Sequence, residues 1–259
     1  MNPFAPTPAG ASPHLHLRTA RQRAQRWLIA LLSGSLLAIF GLWTLPTSAA
    51  EQLERLPTVS RFNSARFDLL TTLRVGDASE VAFGSGSTIM PDRVSMWIGT
   101  NDSDQLTYYV QVGTLVYTND GSGWKRGDDL PPGSGESVTI TGQLGELQDH
   151  ADAILDMGDE PVRGIPTTHY QIWLSGQNLL DAIGNTGVLS DEEYELFSRS
   201  IYKVDIWVGE QDGLLHQQNT VLTIPAGEIN DVAFPELELT TLITYYDLND
   251  PSIAIEAPI

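Results

Sequence analysis

Apolar and polar residues alternate along most of the chain from Arg61 onward. Alternation with a period of two is typical of strands that bury one face of a sheet. The candidate strands span residues 62–75, 80–89, 93–100, 106–118, 162–174, 202–209, 214–224 and 237–246, with a shorter one at 253–255. The breaks between them are short and rich in Gly, Asn and Asp, which favour tight turns, so we expect neighbouring strands to pair antiparallel.

In the middle of the chain the apolar residues change to a helical spacing. The apolar side of the first predicted helix comprises Leu144, Leu147, Ala151, Ile154 and Leu155. These positions recur every three or four residues, as on one face of an amphipathic helix, and Gly158 follows as a suitable C-cap.

Two further helices are predicted at residues 177–183 and 191–200. Ser175 precedes the first as an N-cap. Ser190 and Glu193 form a capping box for the second, and acidic residues in its first turn favour the positive end of the helix dipole.

The order of elements is a run of strands, a helix, a long strand, two helices and a second run of strands. This order is typical of an α+β fold dominated by one antiparallel sheet. Because each helix has a single apolar stripe, we expect the helices to cover one face of that sheet.

Three strands each place a tryptophan opposite a row of aliphatic residues. The aliphatic rows are Val94/Met96/Ile98, Tyr170/Ile172/Leu174 and Val204/Ile206/Val208. Trp97, Trp173 and Trp207 fall on the other face, beside Ser95, Gln171 and Asp205. Two interpretations are open: the tryptophans are half-buried residues on a solvated face, or they form a platform for a ligand.

The N-terminal residues have the order of a secretory signal. Residues 1–26 form a basic region that we expect to be disordered, with four arginines and no acidic residue. An apolar run covers 27–45, and small residues end at Ala50, so residues 27–50 are predicted to be a signal peptide or a membrane anchor. Residues 51–60 are predicted to be a linker, and 61–259 the exported domain.

Cleavage and retention of this segment remain alternatives. Ser48 and Ala50 fit the small residues of a cleavage site. The apolar run is also close to the roughly 20 residues that span a bilayer, so the alternative is that residues 27–45 stay in place and hold the protein in the membrane. In both cases the arginines favour a cytoplasmic N-terminus, and we expect the domain outside the cytoplasm: periplasmic, on the outer side of the cell membrane, or secreted.

The exported domain is strongly acidic and has no cysteine. Beyond residue 50 there are 10 basic and 33 acidic residues, and the whole chain has a net charge of −19. This balance argues against binding nucleic acid or simple adsorption to anionic lipid heads. The absence of cysteine excludes disulfides, thiolate metal sites and a lipidated cysteine.

Motifs of catalytic or cofactor chemistry are absent from the sequence. The stretches at 84–87 and 133–135 do not match a nucleophile elbow and are predicted to be turn or linker material. Phosphate-loop and dinucleotide fingerprints are missing, and His14, His16, His150, His169 and His216 are too scattered for a zinc site. We therefore expect a protein that is not an enzyme and needs neither a cofactor nor a metal.

Several stretches are similar to those of a known family. They are 124–126, 162–170, 204–208, 212–215, 246–251 and 257–258. The most specific is Gly164-Ile165-Pro166-Thr167-Thr168-His169-Tyr170. In these stretches and in element order, the exported domain resembles the LppX/LprG lipoproteins of the LolA-like superfamily of lipid carriers.

This resemblance implies a fold and a function. The implied fold is a curved antiparallel β half-barrel with helices packed on its concave face, around an apolar cavity for lipid or acylated glycolipid. The implied function is transport or presentation of lipid, and the alternative is an envelope sensor domain that binds a membrane protein partner. Members of the family are anchored to the membrane through an acylated cysteine, which this chain lacks. We therefore expect the exported domain to be either released or held in the membrane by residues 27–45.

We expect the ligand between the aliphatic face of the sheet and the helices. The sheet side comprises Met96, Ile98, Val110, Val112, Ile172, Leu174, Ile206 and Val208. The lid side comprises Leu144, Leu147, Leu179, Leu180 and Ile183. Helix stripes and sheet aliphatics must face each other, and a curled sheet leaves room between them.

Overall fold

The computed structural model describes residues 59–127, 147–182, 189–229 and 232–259. The described strands are β1 Ser64–Val75, β2 Ala78–Ile89, β3 Arg93–Thr100, β4 Ser103–Val112, β5 Leu115–Asn119, β6 Lys125–Gly127, β7 Ala153–Asp159, β8 Thr167–Ser175, β9 Ile201–Gly209, β10 Leu215–Ile224, β11 Gly227–Ile229, β12 Val232–Phe234 and β13 Leu237–Tyr246. The described helices are α1 Gly176–Ala182 and α2 Asp191–Ser198. Within these ranges no helix has the length and apolar character needed to cross a membrane.

Eleven strands form one antiparallel sheet, in the order β6-β5-β4-β3-β2-β1-β13-β10-β9-β8-β7. The first six strands make a meander that ends at one edge, and β13 returns to the middle of the sheet to pair with β1. The sheet is not closed: β6 and β7 are its two edges. The prediction of one dominant antiparallel sheet with few helices is confirmed.

The two faces of the sheet differ in character. We call core face the side that carries Phe67, Ile172 and Ile206, which are at most 2% exposed. The outer face carries Trp97, Trp173 and Trp207. Paired residues share a face, and the register places Phe67 opposite Tyr245 and Ile172 opposite Val204. The aliphatic rows and the tryptophans therefore lie on opposite faces, as their alternation predicted.

The Gly84–Ser87 stretch lies within β2, and its interpretation as turn or linker material was wrong. Gly84 and Gly86 belong to the core face, where a Cβ on Gly86 would lie 2.8 Å from the ring of Phe67 and 2.5 Å from the carbonyl oxygen of Ser95. Such contacts are too short, so glycine allows the close approach of the neighbouring strand and the aromatic ring. The serines between the glycines point to the outer face.

The predicted strand 106–118 is a hairpin of β4 and β5. Val112 pairs with Leu115 across a two-residue turn, and Gly113 has a φ of +61°, which glycine adopts without strain. The turn consists only of Gly113 and Thr114 between Val112 and Leu115, so the alternating pattern conceals it. The predicted strand 253–255 is also wrong, because those residues are not in a strand.

The predicted helix over residues 144–155 is wrong in its second half. Residues 147–149 are helical, but β7 begins at Ala153 and pairs with β8. Ile154 lies opposite Ile172 and is buried, so pairing satisfies the backbone and places the apolar side chain in the core. Gly158 has a φ of +88° and lies at an irregularity of this strand, where it is not a helix cap.

Strand β8 begins five residues later than predicted, at Thr167. The preceding residues Val162 and Ile165 exchange backbone hydrogen bonds of 3.0 and 2.9 Å and form a tight turn. Arg163 and Gly164 both have positive φ within this turn. We call residues 160–166 the strap.

Both helices of the second half are confirmed with small changes of boundary. The hydroxyl of Ser175 accepts a hydrogen bond from Asn178 N at 3.4 Å at the start of α1. The capping box of α2 is complete: Glu193 N donates to Ser190 Oγ at 3.3 Å, and Ser190 N donates to Glu193 Oε2 at 2.8 Å. Local side-chain to backbone bonds therefore determine where α2 begins.

Replacing Ser190 by alanine should lower the free energy of unfolding by about 1 kcal/mol, because a backbone N–H at the start of α2 loses its acceptor. Denaturant melts measure this loss. Ser198→Ala is the matched control: Ser198 Oγ bonds back to Glu195 O at 2.7 Å at the other end of the helix. Alanine is a better helix former there, so stability should hold or rise slightly. Equal losses in the two variants would contradict the capping role.

Candidate functional site

Six of the predicted sheet-side residues come together on the core face. Met96, Ile172, Leu174, Ile206 and Val208 belong to one hydrophobic cluster and are at most 6% exposed. Ile98 is half-buried and packs against the same cluster. The cluster runs across the sheet from β3 to β7, so the core face offers a continuous apolar surface.

Val110 and Val112 do not lie with the other sheet-side residues. The register pairs Val110 with Ser95 and Val112 with Arg93, which places both valines on the outer face. There Val110 belongs to a separate cluster with Tyr117 and Ile255. Their assignment to the aliphatic face was wrong, because the pairing between β3 and β4, and not the alternation within β4, decides which face they share with Met96.

The predicted lid residues fall into three groups. Leu147 is part of the core-face cluster, and Leu179 of α1 packs against it. Leu180 is 4% exposed but is not a member of this cluster. Leu144 and Ile183 lie outside the described residues.

Two polar atoms in the core have no hydrogen-bond partner among the described residues. They are the side-chain oxygen of Gln218 and the hydroxyl of Tyr245, in residues that are 4% and 2% exposed. Both side chains lie on the core face, since Gln218 pairs with Ile206 and Tyr245 pairs with Phe67. Burial raises the pKa of Tyr245, so its hydroxyl remains a donor at any physiological pH.

Sequence patterns did not single out this pair. The available signal is a polar residue at a position where the alternation predicts an apolar one. Gln218 fits that signal, and the hydroxyl of Tyr245 is hidden within an aromatic core residue. Buried polar atoms without a partner are rare and point to a missing water or ligand.

A threonine band interrupts the apolar core face. Thr71 and Thr241 lie opposite each other and their hydroxyl oxygens are 3.3 Å apart. Beyond the band, Leu73 and Leu239 form a second, smaller cluster. The band therefore divides the core face into a large and a small apolar area.

On the outer face, Asp205 is the centre of a polar network. Its carboxylate accepts hydrogen bonds from Gln171 at 2.7 Å and Asn219 at 3.4 Å, and it lies 3.2 Å from Lys203 Nζ and 3.1 Å from His169 Nε2. Burial alone would raise the pKa of Asp205, but the bonds from Gln171, Lys203 and His169 outweigh it and the pKa is lowered. Asp205 is therefore a buried carboxylate that its neighbours keep charged.

The same network engages Trp173, Trp207 and His169. Trp173 donates its indole N–H to Gln171 at 2.7 Å, and Trp207 donates to Glu160 at 3.0 Å. His169 stacks on Trp207 with ring centres 4.3 Å apart, and its Nδ1 is 3.2 Å from Glu160. Because their polar atoms are engaged within the protein, these side chains stiffen β8 and β9.

The strap crosses the outer face from β8 to the middle of the sheet. Arg163 pairs with Asp68 of β1, and its guanidinium lies 4.3 Å from the ring centre of Tyr246 in β13. Glu160 at the start of the strap contacts Trp207 and His169. The strap thus ties the β7–β8 hairpin to β13 and β1, which are three and four places from β8 in the sheet.

The possible metal ligands in the part of the chain that the structure describes are its His, Asp and Glu side chains. No three His, Asp or Glu side chains there are arranged to hold a metal ion. His169 has carboxylates next to both ring nitrogens, so neither is free to contact a substrate. His216 lies 3.1 Å from the carboxylate of Asp212.

The chain is similar to several solved structures. Lipoprotein LppX from Mycobacterium tuberculosis is 13% identical with a TM-score of 0.45, and the match covers 75% of this chain and 90% of LppX. LprF from Mycobacterium bovis is 12% identical with a TM-score of 0.41, covering 76% and 90%. The chain resembles these proteins.

A LolA superfamily protein from Nitrosomonas europaea is also similar, at 10% identity and a TM-score of 0.29, covering 77% of this chain and 90% of that protein. No family model matches the chain. No curated protein matches it either.

Replacing Asp205 by asparagine should lower the free energy of unfolding by about 2 kcal/mol at neutral pH, because Lys203 and His169 lose their carboxylate partner. The pKa of Asp205 is lowered in the folded state, so its contribution is complete above the unfolded pKa near 3.9 and is lost as the pH falls through the folded pKa. The difference between wild type and variant should therefore shrink below about pH 4. Denaturant melts across pH measure it.

The control for this prediction is Asp68→Asn. Asp68 pairs with Arg163 at the surface, where both side chains are 47% exposed, so the loss should stay below about 1 kcal/mol. A difference for Asp205→Asn that is no larger than the control, or that persists unchanged in acid, would show that Asp205 is not the charged centre of the network.

Proposed function

We propose that this protein binds lipid or acylated glycolipid on the core face of its sheet and carries or presents it outside the cytoplasm. The observation that carries this proposal is the pair of unpartnered polar atoms, from Gln218 and Tyr245, within the larger apolar area of the core face. A ligand with acyl chains and a polar linkage matches both features.

The apolar surface fits acyl chains better than it fits a compact polar ligand. Ligand sites are usually lined by apolar side chains with a few placed polar groups. The core face has this composition, with aliphatic and aromatic residues from β3 to β7. The predicted residues Ile172, Leu174, Ile206 and Val208 belong to this cluster, on β8 and β9.

The cover supplied by the two described helices is small. Helices α1 and α2 have seven and eight residues and are about 10–12 Å long. Eleven strands side by side extend over about 50 Å. In our proposal the sheet curves into a half-barrel with the helices on its concave face, and the lipid occupies part of the space between them.

The two unpartnered atoms can bind a polar group of the ligand. Tyr245 offers a hydroxyl donor and Gln218 a carbonyl acceptor, both in low-dielectric surroundings. Leaving such groups unpaired costs about 1–3 kcal/mol each, so a ligand that carries an ester carbonyl and a hydroxyl would gain from meeting them. A pure hydrocarbon could not hydrogen-bond to these two groups, so they would remain unpaired.

In this proposal the domain of residues 61–259 is a binding protein and not an enzyme, and it requires no cofactor. Residues 27–50 deliver it across the membrane, after which it is released or stays tethered through residues 27–45. Its acidic balance keeps it soluble and away from anionic membrane surfaces.

Replacing Val208 by tryptophan tests whether lipid lies at the core face. Val208 is 4% exposed, and overpacking a filled core typically costs about 1–3 kcal/mol. If lipid occupies the space beside it, the indole displaces lipid and the thermal stability of the delipidated protein holds. The measurement is a melt beside lipid content, by mass spectrometry of organic extracts from protein purified from its own host.

Two further variants control this experiment. Ile172→Trp tests the neighbouring strand, and Val221→Trp makes the same change on the outer face of β10, where lipid content should not change. Loss of stability with unchanged lipid content in both core-face variants would reject the site. Copurification with a membrane protein and without lipid would favour the sensor alternative.

Tyr245→Phe tests the polar end of the ligand. Removing an unpartnered buried hydroxyl should leave stability unchanged or raise it, because no hydrogen bond within the protein is lost. If the hydroxyl binds lipid, the content of polar lipid should fall by about tenfold, equivalent to one lost hydrogen bond of about 1.4 kcal/mol. Tyr202→Phe is the control, since Tyr202 already bonds to Thr220. A stable Tyr245→Phe protein with full lipid content would remove the polar contact from the proposal.

A further inference from the structure

A groove of about 350 Å³ lies on the outer face, over the strands from β13 to β4. Its floor carries three small side chains, Ser85, Ser87 and Ser95, beside Val110. The register places Ser87 opposite Ser95 and Ser95 opposite Val110, so the floor extends over three neighbouring strands. The Gly-Ser alternation of β2 therefore serves both faces, with glycines toward the core and serines toward the groove.

Aromatic rings form the walls. Trp97, Tyr108 and Trp124 stand on the side of β3 to β6, and Tyr246 stands on the side of β13. Trp97 is braced by Phe83, whose ring meets it edge-on with centres 6.0 Å apart. Trp97 thus differs from Trp173 and Trp207, because the groove and not a polar network adjoins it.

The polar atoms of this groove are unused. The hydroxyls of Ser85, Ser87 and Ser95 make no side-chain hydrogen bond to any other described residue. The same holds, within the described ranges, for the hydroxyls of the two tyrosines and the indole N–H groups of the two tryptophans. Seven polar groups in one half-buried groove are therefore available to a ligand.

The groove offers no free charge. Arg66 is the charged residue among those that line it, and it is paired with Asp247 at 2.5 Å and Asp250 at 3.2 Å. A phosphate, sulfate or acidic peptide would have to compete with two carboxylates for this guanidinium, in a protein whose net charge is −19. The electrostatics favour a neutral ligand.

We infer that this groove is a binding site for a neutral sugar. A hexose ring has faces of C–H groups that lie flat on aromatic rings and a rim of hydroxyls that exchange hydrogen bonds with serine, tyrosine and indole groups. The volume is in the lower part of the 300–1,000 Å³ range of ligand pockets, about right for one or two rings. Proline-rich peptides also dock on aromatic grooves, but their binding does not require hydrogen bonds with the serine hydroxyls of the floor.

This site is independent of the proposed lipid site. The two lie on opposite faces of the same sheet, so failure of lipid binding leaves the sugar site untouched, and the reverse also holds. If both are occupied, the protein holds acyl chains on one face and a glycan on the other.

The test is titration of the full exported domain with neutral disaccharides of glucose, mannose and galactose, followed by calorimetry and tryptophan fluorescence. At least one should bind saturably, with little effect of salt because the ligand is uncharged. Ser87→Phe should weaken this binding at least about tenfold by filling the floor of the groove. Ser79→Phe, an exposed position on the outer face of the same strand, should bind like wild type.

Trp97→Ala provides a second variant, and its fold is checked by its unfolding midpoint. Loss of sugar binding in a folded Trp97→Ala protein supports the site even if Ser87→Phe does not fold. Absence of binding to every disaccharide, binding that Ser87→Phe and Trp97→Ala leave intact, or binding confined to phosphorylated or sulfated sugars would overturn the inference. Binding of a polyproline peptide instead of sugar would overturn it as well.

Discussion

The pairing of β1 with β13 is the constraint on which the rest of this structure depends. Ten residue pairs, from Arg66 with Tyr246 to Val75 with Leu237, join the two meanders into one sheet. Because side chains alternate along a strand, this register fixes which face every residue in both halves occupies. A slip of one residue would turn Phe67 outward and Arg66 into the core, and it would separate the two halves of both candidate sites.

The two faces of the sheet carry different side chains because of that register. On the core face, Phe67 and Tyr245 meet side by side and continue the apolar surface from one meander to the other. On the outer face, the neighbouring pair Arg66 and Tyr246 forms one side of the serine-floored groove. One pair of strands thus contributes to two candidate sites with different chemistry, and the alternation of side chains places these candidates on opposite faces.

Much of the fold could be predicted because its signals are local. The capping box of Ser190 and Glu193 and the segregation of tryptophans from aliphatics both depend on residues a few positions apart. The face of Val110 could not be predicted in the same way, because it depends on hydrogen bonds between strands and not on spacing within one strand. The first residues of β7 have apolar spacings that fit both a helix and an edge strand, and pairing with β8 decides between them.

The candidate sites were harder to predict, for a related reason. The sequence shows that Tyr245 is at a buried position, but only the packing shows that its hydroxyl has no partner. Likewise, Gly84–Ser87 has the composition of a flexible linker until its neighbours on both sides are known. A polar group is available to a ligand when its neighbours in the fold do not bind it. Those neighbours come from distant parts of the chain.

The open edge at β7 has a consequence for the behaviour of the protein among its own copies. An exposed edge strand can pair with another chain, which is a route to aggregation. Here the edge carries Asp156 and Asp159, and the irregularity at Gly158 breaks the regular row of backbone donors and acceptors. If two copies paired through β7, their carboxylates would lie close together, and the irregular backbone at Gly158 would interrupt the hydrogen bonds between the two strands. Within the described residues the acidic side chains and the irregularity of this strand thus oppose pairing with a second copy, although the edge itself is open.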